Sequence, residues 1–154
     1  MGKLEYCAQC GSEKIERLTN QTRKVPFKTA TKVKWFELTG LSFEKCINCG
    51  EEYLSPEDID DEEKKLNAIL ENERKKKGLL TAPEIKEIRK TLGYSQDELD
   101  KLLGFGARSF ARWETYRADQ SKAADLLLRA LKSGGKKLLK SIITQQNPKK
   151  IKAA

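Results

Sequence analysis

Tyr94-SQDELDKLLGFGARSFARWET-Tyr116 reads as two short helices around a glycine turn. Ser95 is a natural helix cap, and Glu98 three residues on completes a capping box. Leu99, Leu102 and Leu103 give the first helix a narrow apolar face. Gly104 and Gly106 supply the break. In the second helix Phe110 and Trp113, three apart, point inward. Arg108 and Arg112, four apart, share a different and outward face. A short helix, a glycine turn and a second helix with a basic outer face form the pattern of a DNA-binding helix-turn-helix, whose second helix enters the major groove. Two amphipathic helices with a glycine turn also occur in helical proteins that bind no nucleic acid, so the pattern needs support from its surroundings.

The flanking sequence supplies helices of suitable length. Thr81 caps a helix with Pro83 in its first turn and Ile85, Ile88 and Leu92 along one side, and Gly93 ends it. Another helix starts near Ser121 and carries Ala124, Leu127, Leu128 and Leu131. Ser133-Gly134-Gly135 breaks it, and a fifth helix runs from Lys136 to about Thr144 with Leu138, Leu139, Ile142 and Ile143. Residues 79–144 therefore predict an all-α, five-helix domain. The tail, 145–154, is polar and basic and is expected to be disordered.

Roles follow for individual side chains. Arg108 and Arg112 are placed to read guanine edges by bidentate hydrogen bonds. Gln96, at the start of the preceding helix, is placed to hold a phosphate or reach a base edge. Ser109 lies at the amino end of the second helix, a phosphate-contact position. Arg117 and Lys122 are phosphate candidates flanking the groove. One such motif offers few base contacts, so a homodimer on a palindromic operator is expected. The two C-terminal helices either form that dimer interface or simply close the core.

Charge supports an anionic partner. The 154 residues carry 31 Lys and Arg against 23 Asp and Glu, a net +8. From Gly78 onward there are 16 basic and 8 acidic residues, so the whole excess sits with the candidate DNA binder. Glu51 to Lys77 holds six bases against ten acids. There is no histidine. The commonest general base is thus missing, and no enzyme is expected. No apolar run approaches the roughly 20 residues that span a bilayer, and the N-terminus lacks the apolar core of a signal peptide. A cytoplasmic location is expected, where disulfides are disfavoured.

The four cysteines then need another explanation. Cys7, Cys10, Cys46 and Cys49 form two copies of one phrase, CAQCG and CINCG. Each Cys-x2-Cys turn brings two thiolates to one metal, and the following glycine, Gly11 or Gly50, lets the backbone fold back. Two such turns make the closed four-sulfur set of structural zinc. Iron in a rubredoxin-like site has the same ligands, and a redox dithiol or disulfide pair is a further alternative. Between the pairs, Ile15 to Thr19, Val25 to Thr29, Val33 to Phe36 and Leu41 to Phe43 read as three or four short antiparallel strands, separated at Asn20-Gln21 and Gly40. Trp35, Phe36 and Phe43 read as core. Residues 1–54 thus predict a small zinc-bound β domain that depends on its metal.

Residues 55–78 read as a helical linker. Ser55-Pro56-Glu57-Asp58 is a helix start, and Ile59, Leu66, Ile69 and Leu70 form a stripe. Its charge runs, Arg74 to Lys77 included, read as a solvated face fitted to the helix dipole.

Taken together, CxxCG twice, LTAPEIKEIRKTLGYSQDEL, and GARSFARWE followed by SKAADLLLRAL resemble the MqsA family of antitoxins, also called YgiT-type zinc finger proteins. The likeness covers about residues 5 to 133, and SQxELxxLLG with RWE is similar to the phage-type repressor (XRE-type) helix-turn-helix. The resemblance implies an antitoxin of a type II toxin-antitoxin system. Its zinc domain would bind an mRNA-cleaving toxin, its C-terminal domain would dimerise, and it would repress its own operon. The family's base-reading Asn and Arg fall on Arg108 and Arg112, so arginine at the first position implies a different operator. The proline often seen after RWExG is absent from WETYRADQSK. A stand-alone zinc-containing regulator of a phage or mobile element is the alternative, and an iron or redox sensor a third.

Overall fold

The computed structural model describes residues 4–146, and the expected tail from 147 onward lies outside them. Contacts group the described residues into two units, one of 4–28 and Val33–Ile69, the other of Thr29–Lys32 and 70–146.

Unit 1 is built on β1 (Ile15–Lys28), β2 (Val33–Cys46) and β3 (Glu52–Tyr53), antiparallel in the order β1-β2-β3. Instead of three or four short strands, two strands of 14 residues run through both expected breaks. Asn20 (φ 54°) and Gly40 (φ 70°) each adopt the left-handed conformation, and the β1–β2 register shifts beside them. A residue with positive φ inserts a bulge and a twist without ending the ladder, so both turn signals are spent inside the sheet. The reversal comes at Thr29–Lys32, where the Thr29 N–H donates to the Lys32 carbonyl (2.8 Å) and the Lys32 N–H donates to Thr29 Oγ1 (3.0 Å).

From Gln21 to Lys28 and from Val33 to Thr39 the ladder alternates in its burial. Phe36, Leu38 and Val25 turn inward, and Val33 and Trp35 turn out. Trp35 is 65 % exposed, correcting its assignment to the core. Neighbouring aromatics must point to opposite faces, and Leu38 and Phe36 claim the inner one.

Helix α1 (Pro56–Lys76) packs on the inner face, with Leu66 and Ile69 against Val25, Leu38 and Leu41. Its start is pinned twice. Asp58 N–H donates to Ser55 Oγ (3.2 Å), and Arg17 of β1 forks onto the Asp58 carboxylate at 2.7 and 2.5 Å. Ile59, expected in the apolar stripe, is exposed.

Unit 2 contains the rest of α1, then α2 (Ala82–Leu92), α3 (Gln96–Leu103), α4 (Ser109–Glu114) and α5 (Lys122–Gln146). Local caps define the ends as expected. Glu84 accepts from Thr81 N–H (2.9 Å) and Glu98 from Ser95 N–H (2.8 Å), while Gly93 and Gly104 close α2 and α3 with positive φ. The core gathers Leu80, Ile85, Ile88, Leu92, Leu99, Phe110 and Trp113 with Ala124, Leu128, Leu131 and Leu139 of α5. The expected break in α5 is a kink at Gly135 (φ 55°, ψ −151°), and the helix beyond it runs two residues further than Thr144.

One buried carboxylate ties this core to its entry. Asp125 of α5 accepts from Leu80 N–H (2.7 Å), Gln120 Nε2 (3.0 Å) and Arg129 Nε (2.7 Å). Burial pushes Asp125 up, but Arg129, the Leu80 amide and Gln120 together hold it below its ordinary value of 3.8. A carboxylate depressed on folding stabilises the fold above that ordinary value and loses the contribution as pH falls through the folded one. Asp125→Asn should cost about 1–2 kcal/mol at neutral pH. The gap to the unaltered chain should narrow below about pH 4, measured by denaturant unfolding of unit 2. A gap that widens in acid would contradict the assignment.

Candidate functional site

The four cysteine sulfurs converge from two loops of the same construction. In the first, Gly11 N–H donates to the Cys7 carbonyl (2.8 Å) and Cys7 N–H to the Ser12 carbonyl (2.8 Å). In the second, Gly50 N–H donates to Cys46 (2.8 Å) and Cys46 N–H to Glu51 (2.9 Å). Both glycines sit at positive φ, 70° and 80°. Ile47 N–H donates to the Lys14 carbonyl (2.9 Å) and joins the loops.

The sulfurs lie 3.5 Å apart for Cys7 and Cys49 and 3.7 Å for Cys10 and Cys46, and all four fall within 4.8 Å of one another. Sulfurs held at about 2.3 Å around a tetrahedral zinc are separated by roughly 3.8 Å. The cluster therefore fits one metal ion and is compatible with zinc. Such a metal would join the two loops and, with four thiolates bound, keep no open position for chemistry.

Two side chains that sequence reasoning missed complete the surroundings. Tyr53 of β3 brings its hydroxyl to 3.1 Å from Cys7 Sγ, and Asn48 Nδ2 lies 3.5 Å from Cys10 Sγ. The Tyr53 hydrogen bond, aided by backbone amides, holds Cys7 down at about 6, and Asn48 lowers Cys10. Both favour the thiolate at their own sulfur, the form that binds metal, whereas Cys49, despite the Glu51 amide, is pushed up to about 12 by burial and the three neighbouring sulfurs. The only local signals were a donor immediately before Cys49 and an aromatic just past the second pair.

In unit 2, α3, the turn from Gly104 to Arg108, and α4 form a tightly braced pair. Phe105, Phe110 and Trp113 pack in tilted and edge-on pairs with ring centroids 5.0 to 6.1 Å apart. Asp100 of α3 is buried, and its Oδ1 accepts from Phe110 N–H (3.2 Å), fixing the start of α4. Glu114 of α4 takes a two-pronged bond from Arg89 of α2, Nε to Oε1 at 2.6 Å and Nη2 to Oε2 at 2.9 Å. Gln96 of α3 donates to the same Oε2 (2.8 Å). One carboxylate thus binds three helices together, and the salt-bridged side chains are only 13 % and 3 % exposed.

The six residues singled out for nucleic acid differ in their surroundings. Arg108 is exposed and left-handed (φ 62°), at the residue preceding α4. Arg112 follows one turn later, half-buried, its N–H on the Arg108 carbonyl (3.1 Å) and Nη2 on the Ala107 carbonyl (3.1 Å). Ser109 is buried, and its hydroxyl donates to the Gly106 carbonyl (2.6 Å), shaping the turn. Gln96 is half-buried and engaged with Glu114. Arg117 and Lys122 are exposed, one in the loop after α4 and one at the start of α5.

The loop WETYRADQSK has a support of its own. Tyr116 takes a positive φ of 58°, and its ring lies under Arg74, 4.7 Å from guanidinium carbon to centroid. Arg74 also donates to the Ala118 carbonyl (2.7 Å) and to Asp119 (3.3 Å). It is 1 % exposed, which removes it from the solvated face expected for Arg74 to Lys77. Burial pulls its pKa below the ordinary value, and Asp119 opposes that pull.

Among the described residues no helix is long and apolar enough to cross a membrane. No curated protein matches the chain. A family model does, that of the antitoxin component of the bacterial toxin-antitoxin system, MqsA, over residues 4–142. With its paired cysteine loops, its sheet and its braced helices all inside that match, the chain belongs to the MqsA antitoxin family, whose members act with a cognate toxin.

Proposed function

We propose that this antitoxin works through two surfaces. Unit 1, organised around one structural zinc ion, binds the cognate toxin, an mRNA-cleaving enzyme. Unit 2 binds a palindromic operator as a homodimer and represses the antitoxin's own operon. In this reading α3, its glycine turn and α4 act as a helix-turn-helix, with α4 in the major groove.

The observation that carries the DNA half is the presentation of Arg108 and Arg112. Arg108 at the N-cap and Arg112 within α4 lie four positions apart beside buried Phe110 and Trp113, on a segment braced by Asp100 and Glu114. A rigid mount with two guanidiniums suits bidentate reading of guanine. Arg117 and Lys122 contact phosphate in this arrangement. Gln96 and Ser109 contribute mainly by holding α4 and its turn. The dimer forms through the C-terminal unit, where Leu126 of α5 offers an exposed apolar side chain.

The test is fluorescence anisotropy with a duplex carrying the chain's own promoter, against a scrambled duplex of equal length. Arg108→Ala and Arg112→Ala should each reduce discrimination by roughly 5- to 150-fold. Arg117→Ala should weaken both duplexes alike and lower the salt dependence. Discrimination that survives the double Arg108→Ala, Arg112→Ala change would remove α4 from the groove.

A further inference from the structure

Asp100 of α3 is 2 % exposed, and only half of its carboxylate is used. Oδ1 accepts from Phe110 N–H, while Oδ2, also buried, has no hydrogen-bond partner among the described residues. A buried carboxylate oxygen without a donor is costly, and native folds rarely leave one so. Asp100 also lines an open cleft of about 350 Å³ together with Asp97, Lys101, Phe105, Ala107 and Arg108. Two cations therefore share the cleft with this oxygen. Lys101 adjoins Asp100 on α3, and adjacent helical residues do not face each other. Arg108 comes instead from the turn before α4. It is exposed, and among the described residues no partner holds its guanidinium. An arginine fork has two usable edges. Its end, Nη1 and Nη2, can meet guanine O6 and N7 while Nε, on the side, donates to a carboxylate.

We propose that Asp100 is a positioning residue for operator reading. In the complex its free Oδ2 accepts from Arg108 Nε and fixes the plane in which the guanidinium meets guanine. The inference rests on the placement of α4 in the major groove proposed above. Both partners gain from the bond. The buried oxygen obtains a donor, and a long side chain is ordered by the protein rather than at the expense of DNA affinity. Asp97, three positions earlier and exposed, adds a second negative charge that draws the guanidinium into the cleft. One carboxylate then serves α4 twice, Oδ1 holding its first turn and Oδ2 its reading side chain. A free cation is the rival occupant. Lys101 and Arg108 already set two positive charges against the two carboxylates, which leaves no excess to hold one.

The experiment is a double-mutant cycle on the full-length, zinc-loaded chain, read by anisotropy with the promoter duplex and its scrambled control. Asp100→Asn keeps Oδ1 as acceptor for the Phe110 N–H and puts an amide donor where Oδ2 stood. It should reduce discrimination about 10-fold or more. On an Arg108→Ala background the same change should alter discrimination less than about twofold, because no guanidinium is left to position. An equal loss on both backgrounds would confine Asp100 to holding the turn and overturn the proposal, with α4 still in the groove. If Arg112→Ala reduces discrimination and Arg108→Ala does not, the proposal falls alone. If neither does, the groove reading falls with it. Tighter operator binding by Asp100→Asn would show the carboxylate competing with DNA for Arg108, and would also overturn it. Amide spectra report whether α4 keeps its fold in each variant. Should Asp100→Asn not fold, the Arg108 Nε–H signal of the unaltered complex decides instead, since that proton lies outside the end-on contact with guanine. It should be protected from exchange with water, and exchange as fast as in the free chain would exclude the bond.

Discussion

Cys46→Ser in the full-length chain is expected to empty the four-sulfur site and unfold unit 1 while α2 to α5 stay folded. Cys46 is fully buried and ends β2. Its sulfur faces Cys10 at 3.7 Å, and its amide closes the second loop. A serine hydroxyl is a poor replacement for a thiolate, so the metal-to-chain ratio should fall from about one toward zero. The remaining resources of unit 1 are small. Its apolar cluster comprises Val25, Leu38 and Leu41, with Phe36, Leu66 and Ile69 only partly buried. Structural zinc contributes on the order of 10–16 kcal/mol in comparable small sites, far more than such a core supplies. Unit 2 has its own cluster of twelve buried residues and takes no ligand from the cysteine loops. Amide signals of residues 15–46 should therefore collapse while those of α2 to α5 hold their positions. A chelator should do the same to the unaltered chain. Because thiols must lose protons to bind, the metal should leave as pH falls. Retention of metal by the Cys46→Ser variant would mean that the four-sulfur assignment is wrong.

The second large effect is expected at Glu114. Glu114→Ala should destabilise unit 2 by about 3–5 kcal/mol, because it strands a mostly buried guanidinium. Arg89 would keep only its bond to the Tyr94 carbonyl (3.0 Å), and the Gln96 amide would lose its acceptor. Removing one partner of a buried ion pair costs far more than the pair contributes over an apolar replacement. Glu114→Gln keeps the shape and one acceptor oxygen and should cost less. The check is denaturant unfolding at saturating zinc, followed by amide signals of α2 to α4. A loss below about 1 kcal/mol for Glu114→Ala would show that the three helices are held by apolar packing alone. Operator affinity should fall with Glu114→Ala as well, since α4 carries Arg112 and is preceded directly by Arg108.

What could be read in advance divides along the range of the interactions. Helix ends were legible because Thr81, Ser95, Gly93 and Gly104 act on their own neighbours. The convergence of the four cysteines was legible because each CxxCG loop closes on itself and four cysteines leave few other combinations. Strand count was not. Asn20 and Gly40 have turn chemistry but serve bulges, whereas the true reversal at Thr29–Lys32 has no glycine, proline or asparagine. The facing of Trp35 was misjudged because an adjacent Trp-Phe pair leaves the phase of alternation open, and Leu38 decides it. Arg74 was read as one of a basic run. Its burial depends on Tyr116 and Ala118, more than forty positions away. The Arg89–Glu114 clamp and its Gln96 support span 25 and 18 positions, beyond any local rule.

The two cysteine loops have a consequence for how the chain can change over time. Each is closed by main-chain groups, Cys7 with Gly11 and Ser12, Cys46 with Gly50 and Glu51. Apart from Asn48, whose amide reaches Cys10, the residues enclosed by the pairs are not asked for any particular side chain by these closures. Ala8, Gln9 and Ile47 are exposed letters in a frame spelled by cysteine and glycine. Sequence drift can rewrite them at little cost to the frame. Diverging copies of this chain can thus acquire new outer contacts on an unchanged four-cysteine frame, with old and new partners sorted by substitutions the fold does not feel.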